Sequence, residues 1–257
     1  MALPIWIPDA LRSEPAPLKA TFWRCVEAQH VVSTLRLVDD LDDQALLEDI
    51  LEETKPPAPE ACEHLHWLYM TPFRYGPYPN GSRFRRAGHT PGVYYVSEHQ
   101  DTAVTETAFH VLLFYVDSPD TPFPEQPTEH TCFDVPARAA RAIDLSKQPW
   151  SDVANLWAHP SDYSDPQDLE DQARTALIDL IAYPSVRDPA RKLNAAILDC
   201  SVFAAIGPSV QHTWKLWFNK TGIHAISERK KDRFSLPTNT FAADERFHGF
   251  NWDRPRD

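Results

Sequence analysis

The stretch that decides the fold covers residues 73–106 and reads FRYGPYPNGSRFRRAGHTPGVYYVSEHQDTAVTE. It begins as a turn-rich loop that carries four arginines, namely Arg74, Arg83, Arg85 and Arg86. An aromatic strand is predicted next, at residues 93–97, and Asp101 is expected to cap a helix that holds Glu106 in its second turn. We therefore expect arginines, a strand tyrosine and a helix glutamate to converge on one ligand that has negative charge and an aromatic ring.

The composition limits the class of ligand. The 257 residues are enough for one large domain or two small ones, and the net charge is −12 with a pI near 5.3. An acidic chain is poorly suited to binding along the phosphate backbone of nucleic acids, so we predict no direct nucleic-acid binding. The local arginine cluster fits a small anionic ligand better.

The cysteines and the N-terminus predict a cellular compartment. The four cysteines lie far apart and form no C-x-x-C pair, which is too sparse for a disulfide scaffold and is typical of a reducing compartment. The first residues lack the basic and apolar regions of a secretion signal. No apolar run approaches the roughly 18 residues needed to span a membrane. These features predict a soluble, cytoplasmic protein that does not enter a membrane.

The chain before residue 73 is predicted to hold two helices and a strand. Apolar residues recur at roughly helical spacing over residues 19–38, and Asp42 is expected to cap a second helix that ends before the proline-rich residues 55–59. Residues 64–70 alternate in polarity and predict a strand that leads into the arginine-rich loop.

The chain after Glu106 mixes short strands with separate helices. A helix is predicted to start at residues 164–166, where proline occupies its first turn, and to bury Leu169, Ala173, Leu177 and Leu180. The other predicted features are strands at residues 131–135 and 142–145, an exposed turn at 183–187, one or two central strands within 193–206, a hairpin over 214–226 and an irregular tail from residue 229. This order predicts an α+β fold rather than a regular βαβ alternation.

Other kinds of site have weaker support. Cys62, His64 and His66 lie close together, as do His130 and Cys132, but no second pair has a zinc-ligand spacing, so we predict no metal. The chain has no G-x-G-x-x-G motif, no P-loop and no G-x-S-x-G elbow. The remaining alternative for the arginine cluster is a solvated surface patch that pairs with acidic side chains.

Five short motifs occur in the order seen in one known family. They are Arg74, Gly-Ser-Arg-Phe at residues 81–84, Tyr-Val-Ser at 95–97, Glu106, and Tyr-Pro-Ser-Val-Arg at 183–187. Over residues 65–206 the chain thus resembles the RES domain family, which supplies toxins of bacterial toxin–antitoxin pairs. The sequence at residues 23–57 also resembles the leader of one branch of that family.

The resemblance implies a fold and a substrate. It implies an α+β core similar to the diphtheria-toxin type of ADP-ribosyltransferase, with NAD as the substrate. The arginines Arg74 and Arg83 would hold the pyrophosphate, and Glu106 would stabilise the ribose as the nicotinamide bond breaks. Catalytic roles are expected for Glu106, Arg74 and Tyr95, and cofactor-binding roles for Arg74, Tyr75, Arg83, Tyr94, Tyr95, Ser185 and Arg187.

Two departures from the family pattern affect these assignments. The family usually has G-[GA]-R-W where this chain has Phe84 in the last position, and the gap to the tyrosine is slightly longer. Either Tyr94 or Tyr95 could therefore stack on nicotinamide, and the Y-x-S pattern favours Tyr95. The family arginine often follows an L-[WY] pair, a position that Met70 occupies here, so Arg74 takes that role by inference.

The resemblance leaves several functions open. The ADP-ribose acceptor can be water, phosphate or a side chain of a target protein. The alternatives are a non-catalytic module that binds a nucleotide or a protein partner, and an intact fold without activity. The family also implies a cognate antitoxin with a helix-turn-helix that covers the active site. We predict three regions, namely a helical extension at 1–60, an NAD-binding RES domain at 61–228 and a polar tail at 229–257.

Overall fold

The protein was analysed as a computed structural model, which describes residues 8–28, 37–229 and 231–256. It is a mixed α/β structure with a sheet core and flanking helices. The helices are α1 (Pro8–Ser13), α2 (Leu41–Glu53), α3 (Trp67–Arg74), α4 (Gln100–Asp117), α5 (Ala154–Trp157) and α6 (Ser164–Thr175). The strands are β1 (Ala16–Glu27), β2 (Tyr94–Ser97), β3 (Thr128–Asp144), β4 (Leu180–Pro184), β5 (Leu193–Ile197), β6 (Gln211–Asn219), β7 (Gly222–Ser227) and β8 (Arg233–Pro237).

Strand β3 organises the sheet because both of its edges are used. One edge pairs with β1 from end to end, while the other pairs with β6 near its start and with β4 near its end. Strands β4, β5 and β2 follow in order, and β2 meets β1 at the pair Trp23–Ser97. Five strands thus close into a ring, and β6, β7 and β8 extend from it as a second arm.

The helices cover the sheet in three places. Leu68 and Tyr69 of α3 pack with buried residues of the ring, including Phe133 and Val135. Helix α6 packs its buried residues Leu169 and Ala173 against the region of β4 and β5. Helix α4 packs against the arm formed by β6, β7 and β8. Helix α4 therefore lies beside the junction of the ring and the arm.

Strand β1 replaces the first predicted helix, so that prediction is wrong for residues 19–27. Phe22 and Cys25 are buried, and the strand pairs with β3 from Ala16 to Glu27. Long-range pairing and burial outweigh a short helical spacing when aromatic and β-branched residues are frequent. Residues 29–36 of the predicted helix lie outside the described residues.

Residues 64–70 also form a different element than predicted. They hold a turn and the start of α3, in which His66 Nδ1 accepts a hydrogen bond from the Leu68 backbone N–H at 3.2 Å. The Tyr69 hydroxyl donates to the Asp134 carbonyl at 2.7 Å, which fixes the helix on β3. The apolar residues that suggested a strand, such as Leu68 and Tyr69, therefore lie on the buried face of a helix.

Several other predictions are confirmed with adjusted boundaries. Helix α2 forms, but Asp40 caps it instead of Asp42, and α4 follows His99 instead of Asp101. The hairpin of β6 and β7 is present, and the predicted strands at 131–135 and 142–145 are parts of the single strand β3.

The C-terminal parts of two predictions are wrong. Helix α6 ends at Thr175, so Leu177 is exposed and Leu180 belongs to β4. The tail from residue 229 holds β8, which pairs with β7. Strands β1 and β8 thus join the sheet from outside residues 61–228, and the predicted division into three regions stays a prediction.

A disulfide joins Cys62 and Cys200, whereas the sequence favoured reduced cysteines. The two residues are 138 positions apart, but the fold brings their Cα atoms to 5.6 Å. Both are buried, and the bond links the segment before α3 to the segment after β5. Cys25 and Cys132 are free. No helix in the described part of the chain is long and apolar enough to cross a membrane.

Candidate active site

A pocket of about 270 Å³ opens between α4, β1 and the strands of the ring. Side chains from both the ring and the C-terminal segment line it. They include Trp23, Arg24, Ser82, Arg83, Tyr95, Glu106, Thr107, His110, Tyr163, Tyr183, Arg187, Asn194 and Arg246. Among the described residues that line it, Glu106 is the only carboxylate, and four are arginines.

Glu106 is fixed by two neutral hydrogen-bond donors. Its Oε1 accepts from the Ser185 hydroxyl at 2.6 Å and from the Asn194 side-chain amide at 2.7 Å. The Ser185 Oγ itself accepts from the backbone N–H groups of Arg187 and Asp188. These two bonds direct the hydroxyl hydrogen toward Glu106, so the carboxylate has one defined orientation.

Asn194 is held in turn by the strand beside it. Ser97 of β2 and Asn194 of β5 are paired residues, and the Ser97 hydroxyl donates to the Asn194 side-chain oxygen at 2.7 Å. This bond leaves the amide nitrogen of Asn194 to face Glu106. Because Ser97 and Asn194 are buried, solvent does not compete for these bonds.

The second oxygen of Glu106 faces Arg187. Glu106 Oε2 lies 3.6 Å from Nη1 of Arg187. Nη2 of the same guanidinium donates to the Tyr163 hydroxyl at 2.6 Å, and the guanidinium covers the Phe109 ring. Burial alone would raise the pKa of Glu106, but Arg187 and the bonds from Ser185 and Asn194 outweigh it, so the pKa is lowered from its ordinary value. Glu106 is therefore an ionised carboxylate at neutral pH.

Arg83 is almost completely buried in the pocket wall. Its guanidinium donates to the carbonyls of Trp157 at 2.6 Å and His159 at 2.9 Å, and its Nε has no hydrogen-bond partner among the described residues. Burial and the neighbouring cation Arg187 lower its pKa. None of its described neighbours forms an ion pair with it, so its charge is not cancelled locally.

Arg24 enters the pocket from β1, in the region where the sequence predicted a helix. Its guanidinium donates to the Tyr95 carbonyl at 2.8 Å and lies 4.5 Å above the centre of the Tyr94 ring. The residues that the structure describes provide it with no acidic partner either. Arg24 and Arg83 are thus two cations held in place by neutral groups.

Tyr95 and Tyr94 have different positions, as expected for neighbours on a strand. Tyr95 faces the pocket, and its hydroxyl bonds to the Ser82 hydroxyl at 2.9 Å and accepts from the Phe84 backbone N–H at 2.9 Å. Tyr94 is fully buried on the other side, where its hydroxyl donates to the Leu68 carbonyl. Of these two tyrosines, Tyr95 is the one that lines the pocket.

Arg246 reaches the pocket from the C-terminal segment. It forms a two-pronged pair with Asp244, at 2.8 and 2.6 Å, and donates to the Tyr163 hydroxyl at 3.0 Å. The Asp244 carboxylate raises the pKa of Arg246 and largely offsets its charge. Its main contact with the site is through Tyr163, whose hydroxyl it shares with Arg187.

The remaining predicted site residues lie elsewhere. Arg74 does not line the pocket, because its guanidinium pairs with Glu52 of α2 at 2.6 Å and with the Pro56 carbonyl. Tyr75 follows it at the end of α3 and does not line the pocket either. Arg86 pairs with Asp168 and Asp171 on α6, and Arg85 covers the Tyr78 ring.

The structure thus brings together five of the predicted residues, namely Arg83, Tyr95, Glu106, Ser185 and Arg187. The turn at 183–187 is not exposed as predicted, since Tyr183 and Ser185 are buried and pack into the site. Sequence reasoning missed Arg24, His110, Tyr163, Asn194 and Arg246. His110, four residues after Glu106 on the predicted helix, is the one that helical spacing could have identified. Among the described residues no cluster of His, Cys, Asp or Glu could hold a metal ion.

Comparisons with known proteins agree with the motif order. A model of the RES domain family matches residues 58–219, which is more than half of the chain, so the protein belongs to the RES domain family. A comparison with curated proteins gives no significant match. A chain of the M. tuberculosis MbcT–MbcA toxin–antitoxin complex is similar at 11% identity and a TM-score of 0.45, over 82% of this chain and 92% of that chain. The sequence identity and the TM-score are both low, so the assignment to the RES domain family rests on the match to the family model.

Proposed function

We propose that this protein is an NAD-consuming toxin that breaks the bond between nicotinamide and ribose. Membership of the RES family supports the assignment of this protein to the toxin class. In this proposal the core of the protein is of the diphtheria-toxin ADP-ribosyltransferase type. The observation that carries the proposal is the charge arrangement of the pocket. One oriented carboxylate, Glu106, faces the same space as two cations, Arg24 and Arg83, for which the described residues provide no ion-pair partner.

The two cations match the pyrophosphate of a dinucleotide. A pyrophosphate diester carries one negative charge on each phosphate, and guanidinium groups bind such oxygens through short, charge-assisted hydrogen bonds. Because carbonyl oxygens and aromatic rings hold Arg24 and Arg83, their charges remain for the ligand. In this proposal Arg24 takes the place that the sequence gave to Arg74.

Tyr95 and Glu106 would act on the other half of NAD. The Tyr95 hydroxyl is bonded on two sides, which holds the ring in a fixed plane against which nicotinamide can stack. As the glycosidic bond breaks, positive charge develops on the ribose. Ionised Glu106 would stabilise that charge and accept a hydrogen bond from a ribose hydroxyl.

The acceptor of ADP-ribose can be water, phosphate or a protein side chain in this proposal. Because a toxin needs to be regulated, we propose a cognate antitoxin of the helix-turn-helix type that covers the mouth of the pocket. We place both proteins in the cytoplasm. A basic antitoxin surface would complement the net charge of −12.

Release of free nicotinamide from NAD tests the proposal. The purified protein should release nicotinamide, and Glu106→Gln should be slower by about 100-fold or more, because that is the typical cost of losing one preorganised electrostatic group. Glu98→Gln is the matched control, since Glu98 is exposed and lies outside the pocket. If the wild type stays inactive with NAD alone and with added phosphate or cell lysate, the proposed chemistry is wrong. Binding of NAD that survives Glu106→Gln without turnover would instead indicate a binding module.

A further inference from the structure

We infer that His110 is the base that accepts the proton of the ADP-ribose acceptor, and that this acceptor is water or another hydroxyl group. The inference rests on the proposed function and adds a residue and an acceptor class to it. It starts from an imidazole in the pocket that the roles assigned above do not use.

His110 lies where an acceptor would approach the ribose. It follows Glu106 by four residues on α4, so both side chains lie on the same face of the helix, and both line the pocket. Solvent reaches the His110 ring, whereas Glu106 lies deeper. A molecule that enters from solvent would therefore pass the imidazole before it reaches the sugar that Glu106 holds.

The imidazole nitrogens of His110 are available for proton transfer. Within residues 8–28, 37–229 and 231–256, neither nitrogen has a hydrogen-bond partner or an acidic group in ion-pair contact. His130 and His212, by comparison, each bond to a neighbouring oxygen. A pocket histidine with open nitrogens can bind an acceptor hydroxyl directly.

The charges around His110 keep it neutral before the substrate binds. The charged groups that face it are Glu106 on the same helix, Arg187 after β4, Arg246 of the C-terminal segment and Arg24 of β1. Partial loss of hydration in the pocket, together with the neighbouring cation Arg187, lowers the pKa of His110 below its ordinary value. A bound pyrophosphate would offset the arginines and raise this pKa, which makes the imidazole a stronger base when the substrate is present.

Glu106 is poorly suited to the same task. Its Oε1 already accepts two hydrogen bonds, and its Oε2 faces Arg187, so both of its oxygens are engaged and ionisation is favoured. The site therefore has one carboxylate that stays ionised and one neutral base. Two groups with such different environments are typical of sites in which one group stabilises charge and the other transfers a proton.

The reaction exchanges one bond at ribose C1′ for another. The bond between ribose C1′ and the nicotinamide nitrogen breaks, and its electron pair stays on the nicotinamide, which leaves as a neutral molecule. The acceptor oxygen forms the new bond to C1′, and its proton passes to a ring nitrogen of His110. With water the product is ADP-ribose, and the proton is then released to solvent.

Nicotinamide release in phosphate-free buffer with NAD alone tests the role of His110. In His110→Ala and His110→Gln, kcat should fall by about 100-fold or more with little change in KM, since general-base catalysis typically contributes 10²–10⁴. Sodium azide, which is an anion and has no proton to lose, should restore nicotinamide release in His110→Ala and yield an ADP-ribosyl azide detectable by mass spectrometry. The wild type with azide provides the reference rate. Thermal unfolding shows whether each variant is folded, and His99→Ala, at the start of the same helix, is the matched control.

The outcomes separate this inference from the proposed function. An unchanged kcat in both variants, a change confined to KM, or a loss that azide does not restore would overturn the role of His110 and leave the proposed function standing. Release that requires inorganic phosphate would also overturn it, because hydrogenphosphate already has a deprotonated oxygen. A wild type that releases no nicotinamide under any condition would overturn the proposed function, and this inference with it.

Discussion

Two arginines outside the pocket and two arginines inside it differ in the groups that hold them. Outside the pocket, Arg74 pairs with Glu52 and Arg86 pairs with Asp168 and Asp171. In the pocket, Arg24 and Arg83 donate instead to backbone carbonyls. Both kinds of contact engage guanidinium hydrogens, but only the carboxylates cancel the charge.

This difference identifies which cations can bind an anion. A carbonyl acceptor orients a guanidinium and leaves its net charge intact, whereas a bound anion must displace or compete with a carboxylate. Carboxylates neutralise Arg74 and Arg86, whereas Arg24 and Arg83, beside Glu106, have no ion-pair partner among the described residues. Arg83 belongs to the arginine-rich loop but points into the pocket. Proximity in sequence therefore does not show which arginines are paired with carboxylates and which are held by carbonyls.

Removal of a pocket cation should have the largest effect in this comparison. Arg24→Met should lower kcat/KM for nicotinamide release by about 100-fold or more, because loss of one charged partner in a buried pair typically costs 2–5 kcal/mol. Arg24→Lys keeps the charge without the planar fork, so it should recover part of this loss. Steady-state kinetics with NAD measure both variants. Activity of Arg24→Met close to that of the wild type would remove the distinction between the two groups of arginines.

Removal of one donor to Glu106 should have an intermediate effect and change the pH dependence. Ser185→Ala should lower turnover about tenfold, since a hydrogen bond to a charged group contributes roughly 1.5–3 kcal/mol. The Ser185 hydroxyl stabilises the ionised carboxylate, so without it the pKa of Glu106 rises and the acidic limb of the rate profile moves to higher pH.

The stability of the fold gives a second measure of the same change. The folded-state pKa of Glu106 is below its ordinary 4.5, so the carboxylate stabilises the fold above that pH, and this contribution is lost as pH falls through the folded value. In Ser185→Ala the contribution should be smaller. Ser146→Ala is the matched control, because Ser146 donates to Asp144 on the exposed surface. An acidic limb that does not move in Ser185→Ala would contradict the role of this bond.

Removal of a surface arginine should have the smallest effect. Arg86→Ala should lower the free energy of unfolding by less than about 1 kcal/mol, as is usual for exposed ion pairs, and the difference should shrink further at high salt. Arg74→Ala should retain nearly wild-type release of nicotinamide, because Arg74 points away from the pocket. A 100-fold loss in Arg74→Ala would show that Arg74 binds the substrate after all and that the pocket changes shape on binding.

The sequence predicted the parts of the site that lie in short, local motifs. Glu106 was placed on a helix, Arg83 in a loop, Tyr95 on a strand and Ser185 in a turn, and the structure brings these four together. Each of these positions is recognisable from a few neighbouring residues. The family match covers the same part of the chain.

The parts that the sequence did not predict depend on contacts between distant segments. Arg24 was assigned to a helix because local spacing cannot show that residues 16–27 pair with β3 more than a hundred positions later. Arg246 lies in a tail that was predicted to be irregular, and Cys62 and Cys200 looked like isolated cysteines.

The sequence by itself determined the family, the helix of Glu106 and the presence of surplus arginines near an aromatic strand. Only the tertiary structure decided which arginines keep their charge, because that depends on whether a carboxylate or a carbonyl lies opposite each guanidinium. Those neighbours come from distant strands and loops, and no periodicity within a short window of sequence records them.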